Sequence, residues 1–174
     1  MTGSLLAIIA AWLLAGIFVR ALKHKIGAWP RFCASLAAYQ LVPEKGVKPA
    51  GVLLVLAEVM TVFGLLMVHT VGFIVAGGLL CVYTTAIVIN MLRGRSYIDC
   101  GCGDAPVGLS GWLLLRNGVL IILAMLGVLS EIEFSMLILM AGIGLAIVAM
   151  TLYGALDQLV TNYSLHRRLW SEEV

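Results

Sequence analysis

AGVLLVLAEVMTVFGLLMVHTVGFIVAGGLLCVYTTAIVINML, residues 50–92, holds two apolar runs, Ala50–Val68 and Val71–Leu92, separated only by His69-Thr70. Each run has roughly the 20 apolar residues a helix needs to cross a bilayer. A connection that short predicts an antiparallel pair of spanning helices. Glu58 is the one Asp, Glu, Lys or Arg in the whole stretch.

Outward from this hairpin, Leu5–Leu22, Gly111–Leu129 and Phe134–Leu156 are further candidate spans. Between the first span and the hairpin, Trp29-Pro30 precedes a stretch, 31–42, with a helical period but too short to cross, and Pro43 closes it. Small residues four apart, Gly72 and Ala76, Gly77 and Cys81, Gly142 and Ala146, predict close helix approach. The expected fold is all-α: a polytopic membrane helical bundle with a four-helix core, a fifth transmembrane helix and a short interfacial helix, forming one domain over 1–174.

Composition agrees. The chain is 62% hydrophobic and 11% charged, whereas an ordinary soluble domain is about a quarter charged. The expected surroundings are therefore a lipid bilayer. A net charge of +2, spread over several loops, gives no nucleic-acid footprint. Met1–Ser4 has no basic region and the first apolar run ends in Arg20 and Lys23, so a retained helix is expected rather than a cleaved signal peptide.

With five crossings, all 11 Lys and Arg residues fall at or near one face, while His69, Glu131 and Glu133 lie at the other. The positive-inside rule then places the amino terminus outside and the loop after residue 92 in the cytoplasm.

That loop carries the chemistry. Within Arg93-Gly-Arg-Ser-Tyr-Ile-Asp-Cys-Gly-Cys-Gly103, two thiols stand one glycine apart. Glycine frees the backbone to turn so that Cys100 and Cys102 face each other or share an ion. In one reading the pair cycles between dithiol and disulfide, through a tight ring that is easily reduced. Arg93 and Arg95 would favour a thiolate there, while Asp99 and Asp104 would oppose one. In the other reading the pair chelates Cu(I) or Zn(II), with further ligands from Cys33, His24 or His69. The plain reading is two unrelated cysteines in a glycine-rich loop, against which the loop's polarity speaks.

An ionisable Glu58 inside a spanning helix is a functional candidate by default. At ~1.5 Å per residue it lies about 12 Å below Ala50, and Arg116 about 9 Å below Ser110. The expectation is a buried Glu58–Arg116 pair, completed by Asn117 and Asn90, serving either as a register-setting ion pair or as a polar floor under the thiols. Cys33, on the interfacial helix, is a candidate resolving thiol or simply a small apolar residue. Cys81 and the eight methionines read as packing, and Trp29, Tyr39, Tyr97 and Trp112 as an aromatic belt.

These strings resemble a known family. Leu22-Lys-His-Lys25, Pro30-Arg-Phe, Ala37-Ala-Tyr-Gln-Leu-Val-Pro43 and the intramembrane Glu58 are similar to the membrane proteins called MauE. So are Arg93-Gly-Arg, Asp99-Cys-Gly-Cys-Gly103 and Ser110-Gly-Trp-Leu-Leu-Leu-Arg-Asn117, so the likeness covers about two thirds of the chain. That family commonly has a Phe after Cys-Gly-Cys, whereas Gly103 and Asp104 follow here. The resemblance implies a DoxX-like, redox-associated, multi-pass protein of the bacterial inner membrane. Its role would be disulfide maturation of the methylamine dehydrogenase small subunit beside a thioredoxin-like partner. It implicates Cys100 and Cys102 as the reactive pair, with Arg93, Arg95, Asp99, Arg116 and Asn117 in support. By analogy with other four-helix thiol oxidoreductases, a quinone is a candidate electron acceptor. Such a role wants the thiols outside, opposite to the charge rule. The competing functions are a soft-metal membrane carrier or chaperone and a non-catalytic assembly subunit.

Overall fold

The computed structural model describes residues 2–95, 98, 108–130 and 135–172. Six α-helices follow one another: α1 (Thr2–Gly27), α2 (Trp29–Ala38), α3 (Val47–Leu66), α4 (Thr70–Leu92), α5 (Gly111–Leu129) and α6 (Met136–Glu172), with a 3-10 turn at Glu44–Gly46. Five are long and apolar enough to span a bilayer: Gly3–Gly27, Glu44–Leu66, Thr70–Leu92, Gly111–Leu129 and Met136–Val160. The expected all-α membrane bundle is what forms.

Each core helix buries a stripe at three- and four-residue spacing. On α1 it is Ala7, Ala11, Leu14, Phe18, Leu22 and Lys25; on α3 it is Val47, Gly51, Glu58, Val62 and Leu65. On α4 it is Gly72, Ala76, Leu80, Tyr83, Ile87 and Asn90, Tyr83 being half-buried; on α5 it is Leu113, Asn117, Leu120, Ala124 and Gly127. Stripes of that period interlock when helices run nearly antiparallel. Packing joins α1 to α3, α3 to α4, α4 to α5 and α5 back to α1, which closes the four-helix core, while α6 packs on α1 from outside. The opposite faces, including Leu53, Met60, Phe63, Leu115, Ile122 and Leu152, are exposed apolar surface suited to lipid.

Several boundaries differ from expectation. The short helix begins at Trp29 because Pro30 is tolerated in a first turn, where its missing N–H has no intrahelical partner anyway. It ends at Ala38, before Gln40 turns left-handed at φ 49°. Helix α1 continues through Arg20, Lys23 and Lys25 because its last basic residue is buried and paired. Helix α6 extends past Leu156 to Glu172, so its 37 residues reach about 55 Å, well beyond the ~30 Å hydrocarbon layer.

At the hairpin end the helices touch almost without side chains. A Cβ on Gly72 would lie 2.4 Å from the Gly64 carbonyl carbon, one on Gly127 would lie 2.2 Å from the Phe73 ring, and one on Gly142 would lie 2.5 Å from Ile8. Other packing expectations need correction. Cys81 is exposed on the outer face of α4, and Met60, Met67, Met125, Met136 and Met140 also face outward. Lipid receives such side chains as readily as a protein core does. Trp29 and Tyr39 turn inward, Trp29 against Phe32 and Gly51, Tyr39 into a buried cluster. Tyr97 lies outside the described residues.

Candidate functional site

Cys100, Cys102 and Asp99 lie outside the described residues, but the shoulders of their loop are described. Helix α4 stops at Arg93-Gly94-Arg95 by two reverse bonds, Gly94 N–H to the Met91 carbonyl and Arg95 N–H to the Asn90 carbonyl. This arrangement places Gly94 at φ +72°, a conformation that favours glycine. Arg93 is exposed. Arg95 donates from Nη1 to the Gln40 side chain at 2.5 Å, tying the loop to the end of α2. Beyond it, Ile98 and Leu109 are both buried in one cluster with Tyr39, Ile87 and Leu113. The two ends of the cysteine segment are therefore anchored on the same patch, formed by α4, α5 and the residue capping α2.

Beneath that end of the bundle lies a buried charge pair. Glu58 has no exposed surface and Lys25 retains only 4%. The Lys25 ammonium bonds Glu58 Oε1, and Tyr83 OH donates to the same oxygen at 2.7 Å. Lys25 also donates to the Tyr83 oxygen at 3.2 Å, closing a triangle. The ammonium lies 4.7 Å from the Tyr83 ring centroid and 5.3 Å from that of Phe32, so both aromatic faces add cation–π attraction. Glu58 Oε2 accepts no hydrogen bond.

The expected Glu58–Arg116 pair is thus replaced. Arg116 donates instead from Nη1 to Asp157 at 3.3 Å, and Arg20 approaches the other carboxylate oxygen at 4.0 Å. The reason is geometric: Lys25 projects from the helix that packs directly on α3, and its long stem reaches Glu58 first. Asn90 also leaves the expected network, since its amide donates to Ala86 of its own helix at 3.1 Å. Asn117 does join, lining with Arg20, Lys25, Glu58, Arg116 and Asp157 a cavity of about 60 Å³. A polar chamber of that size is large enough to admit water. Both ion pairs face one small polar chamber, three cations against two carboxylates.

Lys25, Tyr83, Arg20 and Asp157 escaped the sequence reading. For the first two a signal was present, because both continue the buried stripe of their helix. Lys25 falls three residues after Leu22, and Tyr83 lies between Leu80 and Ile87. Asp157 fell one residue beyond a span drawn to end at Leu156. Cys33 is half-buried on α2 with a free thiol. Among the described residues no three His, Cys, Asp or Glu side chains converge into a metal site.

The chain is 32% identical over 116 residues to the methylamine utilization protein MauE of Paracoccus denitrificans, covering 64% of this chain and 62% of that protein. To the protein of the same name from Methylophilus methylotrophus it is 31% identical over 106 residues, 60% and 56% of the two chains. To that from Paracoccus versutus it is 30% identical over 116 residues, 64% and 62%. The chain thus spans about three fifths of the length of these curated relatives. No solved structure matches. The family model for methylamine utilisation protein MauE matches residues 3–130, which includes the four-helix core, the buried Lys25–Glu58–Tyr83 triangle and the whole cysteine loop, and the chain belongs to that family.

Proposed function

We propose that this chain is a thiol–disulfide maturation factor of the bacterial inner membrane, acting through Cys100 and Cys102. The observation that carries this reading is the anchoring of Ile98 and Leu109 in one buried cluster. Two thiols one residue apart, between two fixed points of the chain, are suited to pairing with each other rather than to separate use. Arg93 and Arg95, at the loop's first shoulder, favour a thiolate, and Asp99 and Asp104 oppose one. The relatives are named for methylamine utilisation, and this chain's client would be a disulfide-bearing protein of that process, met beside a thioredoxin-like partner. Asp99 is a supporting residue of the pair, and Cys33, half-buried on α2, is a candidate resolving thiol.

The exchange needs only the oxidised Cys100–Cys102 pair and a client dithiol. A client thiolate attacks the disulfide, and a mixed disulfide forms as the other cysteine leaves as a thiolate. The second client thiol then displaces the protein, which leaves the client oxidised and the Cys100/Cys102 pair reduced. Replacing either cysteine by serine is expected to abolish client maturation, and Cys102→Ser or Cys100→Ser should trap the mixed disulfide on non-reducing gels. Full maturation with the double serine variant would refute the proposal. Labelling both thiols in intact cells with a membrane-impermeant maleimide decides the face: protection indicates the cytoplasmic side expected from charge, and reaction the outer side expected from the role.

A further inference from the structure

Helix α2 packs on α3 and α1, and together with α3 and α4 it lines a groove of about 480 Å³. That volume falls within the ordinary range for small-molecule sites. Its floor is apolar, formed by Leu54, Ala57 and Ala86, and its outer rim carries Leu53 and Val82, which are 67% and 56% exposed on the bundle's lipid-facing side. An occupant therefore enters sideways from the membrane. At the inner end the wall is polar: Lys25 and Tyr83, two corners of the buried triangle, line the groove.

We infer that this groove binds a lipid-soluble quinone, a flat neutral ring carrying carbonyl acceptors. Three observations select that chemistry. The Lys25 ammonium has three N–H donors, of which Glu58 and Tyr83 take two, so one remains for a ligand. Glu58 already balances the Lys25 charge, so the complementary ligand is a neutral acceptor rather than an anion. Phe32, Tyr39 and Tyr83 give the groove aromatic walls that suit a planar ring. An acyl chain alone would fill the volume and leave the lysine donor unanswered.

The groove also adjoins the residues that flank the cysteine segment, because Tyr39 and Ile87 belong both to its wall and to the cluster that buries Ile98 and Leu109. Resting on the function proposed above, the quinone is then the electron acceptor. Two S–H bonds break and one S–S bond forms, while the two electrons and two protons released convert the two quinone carbonyls to hydroxyls.

The test uses the full chain in lipid nanodiscs and decylubiquinone as probe, read by quenching of tryptophan fluorescence. The expected result is saturable binding that decanol and decanoate do not displace. Ala57→Phe, which fills the groove, should weaken it roughly tenfold or more. So should the double variant Lys25→Met/Glu58→Gln, which removes the donor without stranding a charge. Quenching equal to that of protein-free nanodiscs, displacement by decanol, or undiminished binding in both variants would overturn the inference. Binding is measured again with Cys100→Ser/Cys102→Ser, where it should persist. Bound quinone that leaves the wild-type dithiol unoxidised overturns the acceptor role and spares the groove, whereas client maturation without saturable quinone binding overturns the groove and spares the thiol proposal.

Discussion

The two ends of the bundle are built by opposite means. At the hairpin end, glycines bring α3 against α4, α5 against Phe73 and α6 against Ile8, with no charged side chain among those contacts. At the loop end, the same helices hold Arg20, Lys25, Glu58, Arg116 and Asp157 around a chamber large enough for water. The first end derives its stability from contact that leaves no room. The second forgoes close packing and spends that space on charges that cost a few kcal/mol each to place in lipid. A bundle needing only stability would be dry throughout, since apolar groups of similar volume often replace a buried ion pair without loss. The polar end is therefore the one not built for stability alone, and in the sequence it is the end that carries the cysteines.

Breaking the triangle tests that contrast most severely. Lys25→Met alone strands Glu58 and is expected to destabilise by about 3–5 kcal/mol, measured as a shift in denaturant unfolding in mixed micelles. The double variant Lys25→Met/Glu58→Gln should recover most of that loss. If the single and double variants are equally unstable, the charges are not what the site balances, and the contrast between the ends fails.

Gly127→Val probes the dry end. Its added carbons meet the fully buried Phe73 ring, and overpacking of this kind costs about 1–3 kcal/mol. The same change at Gly118, whose Cβ would meet nothing within 4 Å, should be nearly silent in thermal unfolding. Equal effects at the two glycines would show that the hairpin end is looser than described.

The two left-handed helix stops sharpen the comparison further. Both α3 and α4 end with the same pair of reverse bonds, but Val68 takes the left-handed position in the first and Gly94 in the second. A β-branched residue is strained there, by about 1–2 kcal/mol. Gly94→Ala should therefore lower stability by about 1 kcal/mol in the same unfolding assay. Val68→Gly should move it less, because relief of strain offsets the loss of a buried side chain. The smallest effect is expected at the rim: Gln40→Ala removes the exposed Arg95 contact and should change stability by less than about 1 kcal/mol. A larger change in thiol labelling rate than in stability would tie that contact to the loop's placement.

Much of this was legible before any tertiary structure. Two apolar runs joined by His69-Thr70 leave an antiparallel helical hairpin as the one outcome in lipid, because every backbone group must be bonded within its own segment. Glu58 announced a polar site by its isolation. Its partner was not legible, since helical period fixes which face a residue shares but not which neighbouring helix meets that face. Arg116 and Glu58 matched in estimated depth, yet α1 packs on α3 and delivers Lys25 instead. Asp157 was hidden for another reason: hydropathy ends a span at the first charge, whereas a helix continues wherever its charge finds a partner.

By itself, then, the sequence determined the class of fold, the number of spans, the end of the fourth helix at Leu92 and the presence of a thiol pair at the basic end. All of these follow from local rules of apolar length, backbone conformation and charge placement. Only the tertiary structure decided that Glu58 pairs with Lys25 and Tyr83, that Arg116 pairs with Asp157, and that an apolar groove opens beside them. Those outcomes depend on which helices become neighbours, and that is settled by the joint packing of the four buried stripes and of α6 on α1 rather than by any one helix.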